Sequence, residues 1–264
     1  MSRTTLHSLT SLKQAGEKAT CITSYDASFT QRVNQAGIDI ILVGDSLGMV
    51  LQGHNSTLPV TMEQMVYHTR CVEAGNSNAL IMADMPFMSY RTVEQAMTSA
   101  TDLMQAGAQI VKLEGGLWLK DTVHKLFEQG IPVCVHLGLT PQAVHKLGGY
   151  RVQGKTPEQA ASLLNEALEL EAAGASMILL ECVPSSLGKA ITQAVCVPVI
   201  GIGAGPDTDA QVLVIYDMLG ITPSKPARFV KDFLQQEGDV LKALEAYVLE
   251  VKTGLFPAPE HCFS

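Results

Sequence analysis

A chain of 264 residues with 47% hydrophobic and 17% charged side chains can bury one large core and is composed as a compact globule, not as a disordered chain. Its formal net charge of −8 disfavours nucleic acid and anionic membrane surfaces as partners, and an anionic substrate would have to meet a local positive group or a metal. The six cysteines (Cys21, Cys71, Cys134, Cys182, Cys196 and Cys262) form no C-x-x-C pair, which favours reduced core thiols over disulfides or zinc. Met1 to Lys18 lacks the apolar stretch of a signal peptide, and no apolar run reaches membrane-span length, so a soluble cytoplasmic protein is expected.

In chain order, the polar residues before Lys18 read as a short N-terminal helix or arm. Ala19–Ser24 reads as a strand, and Asp26–Gly37 as the helix after it, with Asp26 as N-cap and Gly37 as the stop. One pattern then recurs: a helix ends at glycine, a buried apolar run follows, and a polar residue closes it. Gly37 leads to Ile38–Val43 and Asp45, Gly75 to Ala79–Ala83 and Asp84, and Gly107 to Gln109–Leu113 and Glu114. Gly130 leads to Ile131–Val135 and His136, and Gly174 to Ser176–Leu180 and Glu181. Val197–Ile200 ends in Gly201-Ile202-Gly203-Ala204-Gly205, and Leu213–Tyr216 is a last, weaker run.

Near-continuous apolar strands between amphipathic helices mark a parallel sheet covered on both faces. About eight such units are what a (β/α)₈ TIM barrel needs. The even spacing and the polar residues at so many strand ends favour the barrel over an open doubly wound sheet, and residues 1–264 are expected to form one such domain. After Gly220 the pattern changes to Ala227–Gln236 and Asp239–Lys252, expected as additional C-terminal helices. Two long connections, between Gln52 and Met62 and between Gly138 and Pro157, follow strand ends on the face where barrels build their sites, so they are expected as lids or substrate walls.

Asp45, Asp84, Glu114 and Glu181 close four different apolar runs. Singly, a carboxylate there is more often a helix N-cap or a solvated turn residue. Four at equivalent positions would repel one another unless a cation or shared protons offset the charge, and magnesium fits an oxygen-only set better than zinc. Lys112 lies two residues before Glu114, so both point to the same side of one strand, as a structural ion pair or as the counter-charge for an anionic substrate. Ser46 could bind a substrate carboxylate or serve as a turn or N-cap residue. His136 could contact a substrate oxygen, move a proton, or fill a core position. Gly44 and Gly48 would let a ligand approach the backbone. The glycines of 201–205 suit either phosphate or close packing.

Longer motifs carry a resemblance. Val43–Met49 with Gln52-Gly53-His54 and Ser56–Thr61, Ala83–Phe87, Val111–Gly116, His136–Gln142, Gly148–Gly154, Leu180–Pro184 and Ile200–Gly205 resemble the ketopantoate hydroxymethyltransferase family, over about Thr20 to His261. The resemblance implies a (β/α)₈ barrel of the phosphoenolpyruvate mutase/isocitrate lyase-like superfamily. It also implies one-carbon transfer from methylenetetrahydrofolate to α-ketoisovalerate with Mg²⁺, and a homo-oligomer, the decamer of stacked pentamers. It implies that Asp45 and Asp84 bind the metal, with Glu114 on it directly or through water. Asp45, Ser46, Asp84, Lys112 and His136 would surround the keto acid, and Glu181 would be the proton acceptor. Asn55, Val135, Ala210 and Tyr216 depart from the family's usual residues, and Val135 bears on the pose of His136 beside it. The competing expectations are a carbon–carbon lyase of the same superfamily acting on another 2-oxo acid, a non-catalytic keto-acid-binding barrel, and a flavin or phosphate barrel.

Overall fold

The buried apolar runs become eight parallel strands. The computed structural model describes residues 3–223 and 225–264. Helix α1 (Leu6–Ala15) precedes β1 (Ala19–Thr23), and α2 (Ala27–Gln35) leads to β2 (Ile40–Val43). A single turn α3 (Leu47–Val50) and α4 (Met62–Gly75) lead to β3 (Leu80–Asp84), then α5 (Val93–Gln105) to β4 (Ile110–Glu114) and α6 (Lys120–Glu128) to β5 (Val133–Gly138). Short α7 (Val144–Leu147) and long α8 (Pro157–Ala172) lead to β6 (Met177–Glu181), and α9 (Ser185–Ala194) to β7 (Val199–Ile202). After β8 (Ala210–Leu213) come α10 (Ile215–Met218), α11 (Leu234–Glu237) and α12 (Val240–Thr253). Each strand pairs with the next, and β8 returns to β1, which closes the barrel and rules out the open sheet. Among the described residues no helix is long and apolar enough to cross a membrane.

Local sequence explains where elements begin. Thr61 and Gln64 form a capping box that opens α4, and Thr156 and Gln159 do the same for α8, with Pro157 at its first position. The strands alternate inward and outward. Cys21, Ile40, Leu42, Leu80, Met82, Ile110, Cys134, Met177, Leu179, Ile200 and Val212 fill the interior, while residues between them, such as Ile41, Ile81, Val111, Val135 and Ile178, pack beneath the helices. Helix α1 closes the bottom: buried Leu9, flanked by Leu6 and Leu12, joins the interior cluster. The C-terminal end of the barrel opens into a cavity.

Four details differ from the sequence reading. The last strand is Ala210–Leu213, not Leu213–Tyr216, because Ile215 N–H donates to Thr23 Oγ1 at 2.9 Å and starts a helical turn there. β7 runs on into Gly201-Ile202, and residues 203–209 join it to β8 without a helix. The side of the barrel beside β8 is covered instead by α12, whose Tyr247 hydroxyl reaches the carbonyls of Cys21 on β1 and Gln211 on β8, at 2.9 and 2.8 Å. The expected helix Ala227–Gln236 does not form: Phe233 N–H bonds to Met218 O at 2.9 Å, which diverts a donor the helix would need, and only α11 is helical. All six cysteines are free, but only Cys21, Cys134 and Cys182 are buried, and Cys196 is exposed.

Candidate active site

Strand register brings the polar residues together. Asp84, Glu114 and Glu181 are the last residues of β3, β4 and β6, and Asp45 follows just beyond β2. Asp84 sits opposite Lys112 across the β3–β4 ladder, and Glu114 sits opposite His136 across β4–β5. All of them, with Ser46 and Glu181, line one mouth cavity of about 920 Å³. The loops that the sequence marked as walls do line it, through Gly53, His54, Asn55 and Thr57 from one and Leu139, Pro141, Tyr150 and Val152 from the other.

The floor is an ion network withdrawn from water. Asp45, Asp84, Lys112, Glu114 and His136 are all buried, at 2–4% exposure, whereas the Glu181 side chain keeps 14%. Lys112 Nζ lies 3.0 Å from Asp84 Oδ1 and 3.6 Å from Glu114 Oε1. His136 Nδ1 is 3.3 Å from Glu114 Oε1, and Nε2 is 3.3 Å from Glu181 Oε2. Burial works against the charge on Lys112, but Asp84, Glu114 and Asp45 outweigh it and hold the ammonium above its ordinary range. Burial and Lys112 likewise oppose a charged imidazole, yet Glu114 and Glu181 push His136 up to about 9. His136 Nδ1 is also 3.3 Å from Lys112 Nζ, a hydrogen bond only for a neutral ring. We read it as close like charges held by the surrounding acids, because a carboxylate faces each ring nitrogen. Glu114 suffers burial too, but His136 and Lys112 keep it below its usual range. Asp45 is pushed well up, first by burial and then by Asp84 and Glu114.

This set suits a hard divalent cation. Four carboxylates face one ammonium and one imidazole, an excess of negative charge that a cation would offset. Asp84 Oδ1 touches Lys112 off hydrogen-bond alignment and is left as a buried atom without a hydrogen bond; His136 Nε2 is another. Among the described residues, however, no group of three or more His, Cys, Asp or Glu side chains encloses a metal alone. The reason lies in Glu114, whose Oε2 accepts from Gln142 N–H at 2.9 Å while Oε1 faces Lys112 and His136. Asp45 and Asp84 remain, linked by a 3.0 Å bond from Asp45 N–H to Asp84 Oδ2. Two carboxylates, with substrate and water completing the shell, are how magnesium is commonly held.

Other placements refine the sequence reading. Val135 points outward beneath the helices, opposite to His136, so it does not press on the ring. The space at the glycines is used by the protein itself: a Cβ on Gly44 would meet Ser46 Oγ at 2.8 Å, and one on Gly48 would meet Val60 Cγ2 at 2.6 Å. Gly201, Gly203 and Gly205 likewise abut Thr208, Phe229 with Phe263, and Ser185, which is close packing. Three side chains escaped notice. Tyr25, buried at the start of α2, bonds Ser46 Oγ through its hydroxyl at 2.9 Å. Gln142 donates from Nε2 to Asp45 Oδ2 at 2.8 Å, and Tyr90 bonds Gln142 Oε1. Only the Leu139–Gln142 motif hinted at any of them.

Comparison with known proteins is consistent across sequence and fold. The family model described as ketopantoate hydroxymethyltransferase matches residues 3–259. A 3-methyl-2-oxobutanoate hydroxymethyltransferase of Shewanella loihica is 59% identical over 264 residues, covering 100% of both chains. One of Marinobacter nauticus is 61% identical over 259 residues, covering 98% of each. Among solved structures, a phosphonopyruvate hydrolase in complex with oxalate and Mg²⁺ superposes with a TM-score of 0.63 at 13% identity, covering 98% of this chain and 93% of that one. A 2,3-dimethylmalate lyase of the PEP mutase/isocitrate lyase superfamily gives 0.57 at 16% identity, covering 80% and 82%. At such identities these structures speak for the fold alone.

Proposed function

The chain belongs to the ketopantoate hydroxymethyltransferase family, and from that premise we infer how its barrel mouth carries out the family's reaction. It transfers a hydroxymethyl group to 3-methyl-2-oxobutanoate, giving ketopantoate for the pantothenate pathway. The lyase alternative is not favoured, since the full-length relatives at 59–61% identity bear the transferase name and the lyase shares only the fold.

The roles within the site are our reading. Asp45 and Asp84 would hold magnesium, with Glu114 meeting it through water; their position side by side in the mouth cavity supports this, and the hydrolase of similar fold is itself in complex with oxalate and Mg²⁺. When bound, the ion would supply Lewis-acid polarisation of the keto acid's carboxylate and ketone oxygens. Lys112 brings a fixed positive charge to the substrate's anionic end, and Ser46, held by Tyr25, offers a hydroxyl to the carboxylate. Glu181 takes the C3 proton. A positioned base of this kind contributes roughly 10²–10⁴-fold. His136 turns Nε2 toward Glu181 and orients it.

In the one-carbon donor the methylene is bonded to two carrier nitrogens. One carbon–nitrogen bond opens as its nitrogen takes a proton and leaves an iminium. Water adds to that carbon, and the second carbon–nitrogen bond breaks as the hydroxyl proton passes to the other nitrogen. The enolate forms its carbon–carbon bond to the formaldehyde so released, and the new alkoxide takes back the proton that Glu181 removed. Methylenetetrahydrofolate is the donor we infer. A cavity of about 920 Å³ exceeds what a five-carbon acid fills, and its outer part offers Tyr216, Phe229, Phe263 and Arg228 to a flat, anionic molecule. The walls from residues 53–57 and 139–152 shield the enolate from quenching. We propose a homo-oligomer, the decamer that the resemblance implies, and a cytoplasmic site; exposed Tyr67, Trp118, Leu249 and Leu255 supply apolar surface for contacts between copies, and six free cysteines suit a reducing compartment.

The observation that carries this reading is the division inside one cavity. Asp45, Asp84 and Glu114 are buried beside Lys112, while Glu181 stands apart on β6, partly open to the cavity. Glu181→Gln should therefore retain keto acid and magnesium, measured by calorimetry, while loss of deuterium from C3 of 3-methyl-2-oxobutanoate stops. Exchange at the native rate would remove Glu181 from the role.

A further inference from the structure

Gln142 lies on the turn Pro141–Ala143, in the loop after β5, and is buried. Every polar atom of its side chain is engaged by the acid wall or its surroundings. Nε2 donates to Asp45 Oδ2 at 2.8 Å and to Met85 O at 3.0 Å, and Oε1 accepts from the Tyr90 hydroxyl. Its backbone N–H donates to Glu114 Oε2 at 2.9 Å. The Tyr90 hydroxyl in turn accepts from Glu114 N–H at 3.4 Å. These bonds determine the amide's orientation: turned over, Oε1 would face a carboxylate oxygen and a carbonyl oxygen, with no donor for either. Gln142 does not line the mouth cavity. It lines a second cavity of about 710 Å³ behind Glu114 and His136, together with Tyr90. It therefore acts on the site through the carboxylates, not through substrate.

The consequence for Asp45 is specific. Oδ2 is committed to the amide, and among the described residues no hydrogen bond reaches Oδ1. Glu114 is committed in the same way by Oε2, which leaves Oε1 to Lys112 and His136. A neutral amide can do this; a carboxylate at 142 would add a further negative group, and an aliphatic side chain would leave Asp45 Oδ2 without its donor in a buried place, while the Tyr90 hydroxyl would keep only Glu114, whose O it reaches at 3.2 Å.

We propose that Gln142, braced by Tyr90, is a positioning residue that ties the loop after β5 to the carboxylates and leaves Asp45 a single oxygen for a divalent cation. The proposal rests on the reading that Asp45 and Asp84 hold that ion. Because the coupling is reciprocal, an ion that prefers the braced arrangement also holds residues 139–147 against the site.

Manganese titrated into the full-length protein without keto acid, with free ion followed by electron paramagnetic resonance, tests it. Gln142→Met keeps the side chain's length and should weaken manganese by about 10–100-fold, the usual effect of losing a hydrogen-bond partner behind a metal ligand. Tyr90→Phe should shift affinity in the same direction by less, since the amide loses only its brace. In parallel, manganese should slow amide hydrogen exchange across 139–147 in the native protein and not in Gln142→Met. A residue with a purely structural role would lower the melting temperature and move neither readout. Should Gln142→Met fail to fold, Tyr90→Phe decides, and unchanged affinity with unchanged ion-dependent protection would overturn the proposal. Native protein that takes up no manganese would overturn the carboxylate-pair reading as well; native uptake with unaltered variants would overturn this inference alone.

Discussion

Lys112 is the residue on which the floor balances. It is 3% exposed, and its nearest carboxylate, Asp84, is 3.0 Å away. Removing one partner of a buried ion pair leaves an uncompensated charge, which costs about 3–5 kcal/mol. Lys112→Met should therefore lower unfolding stability in urea by about that amount, and saturating magnesium should restore part of it by offsetting the same acids. A loss that magnesium does not lessen would mean that the ion sits elsewhere. This residue also shows what was legible in sequence. Its two-residue spacing from Glu114 put both side chains on one side of the strand, and that side proves to face the barrel mouth. The choice between structural pair and substrate counter-charge was not legible, because it depends on Asp84 and His136 arriving from other strands. Gln142, Tyr90 and Tyr25 were missed for the same reason: none closes a strand, and each acquires meaning only through a partner far away in the chain.

At the scale of elements, strands and helices read from sequence with different success. Three strands end on the acids that the sequence named, β3 at Asp84, β4 at Glu114 and β6 at Glu181, since a parallel strand buried on both faces is a continuous apolar run with a sharp polar end; β5 runs two residues past His136 to Gly138. The β8 region failed because its strand holds Gln211 and its following turn is apolar, so the apolar run fell three residues too late. Residues 227–236 failed because their helical spacing is overridden by tertiary bonds: Phe233 N–H to Met218 O at 2.9 Å, and Lys231 to Glu250. Helix α1, expected only as a helix or arm, proves to be the barrel's floor plug. Leu9→Ala should cost about 2–5 kcal/mol by opening a cavity there. Because α1 lies at the end opposite the acids, the KM for the keto acid should be unchanged at a temperature where the variant is folded. A raised KM would show that the plug reaches the mouth.

For the whole molecule, closure is what turns a periodic sequence into a site. Asp45, Asp84, Glu114, His136 and Glu181 lie on, or for Asp45 just past, five successive strands from β2 to β6, and closure of the ring aims all five at one cavity. The repeat along the chain made that convergence legible. The division of roles among the acids came from the family resemblance and from the geometry that separates Glu181 from the buried three. The central claim is that this cavity removes the C3 proton of 3-methyl-2-oxobutanoate with Glu181 and a divalent ion, and then adds a one-carbon unit. The most direct measurement follows C3 deuterium of that acid by NMR in the presence of purified protein, with and without magnesium and with and without methylenetetrahydrofolate. The account predicts magnesium-dependent loss of deuterium without folate, and ketopantoate once folate is added. Intact deuterium together with no ketopantoate under every condition would contradict it.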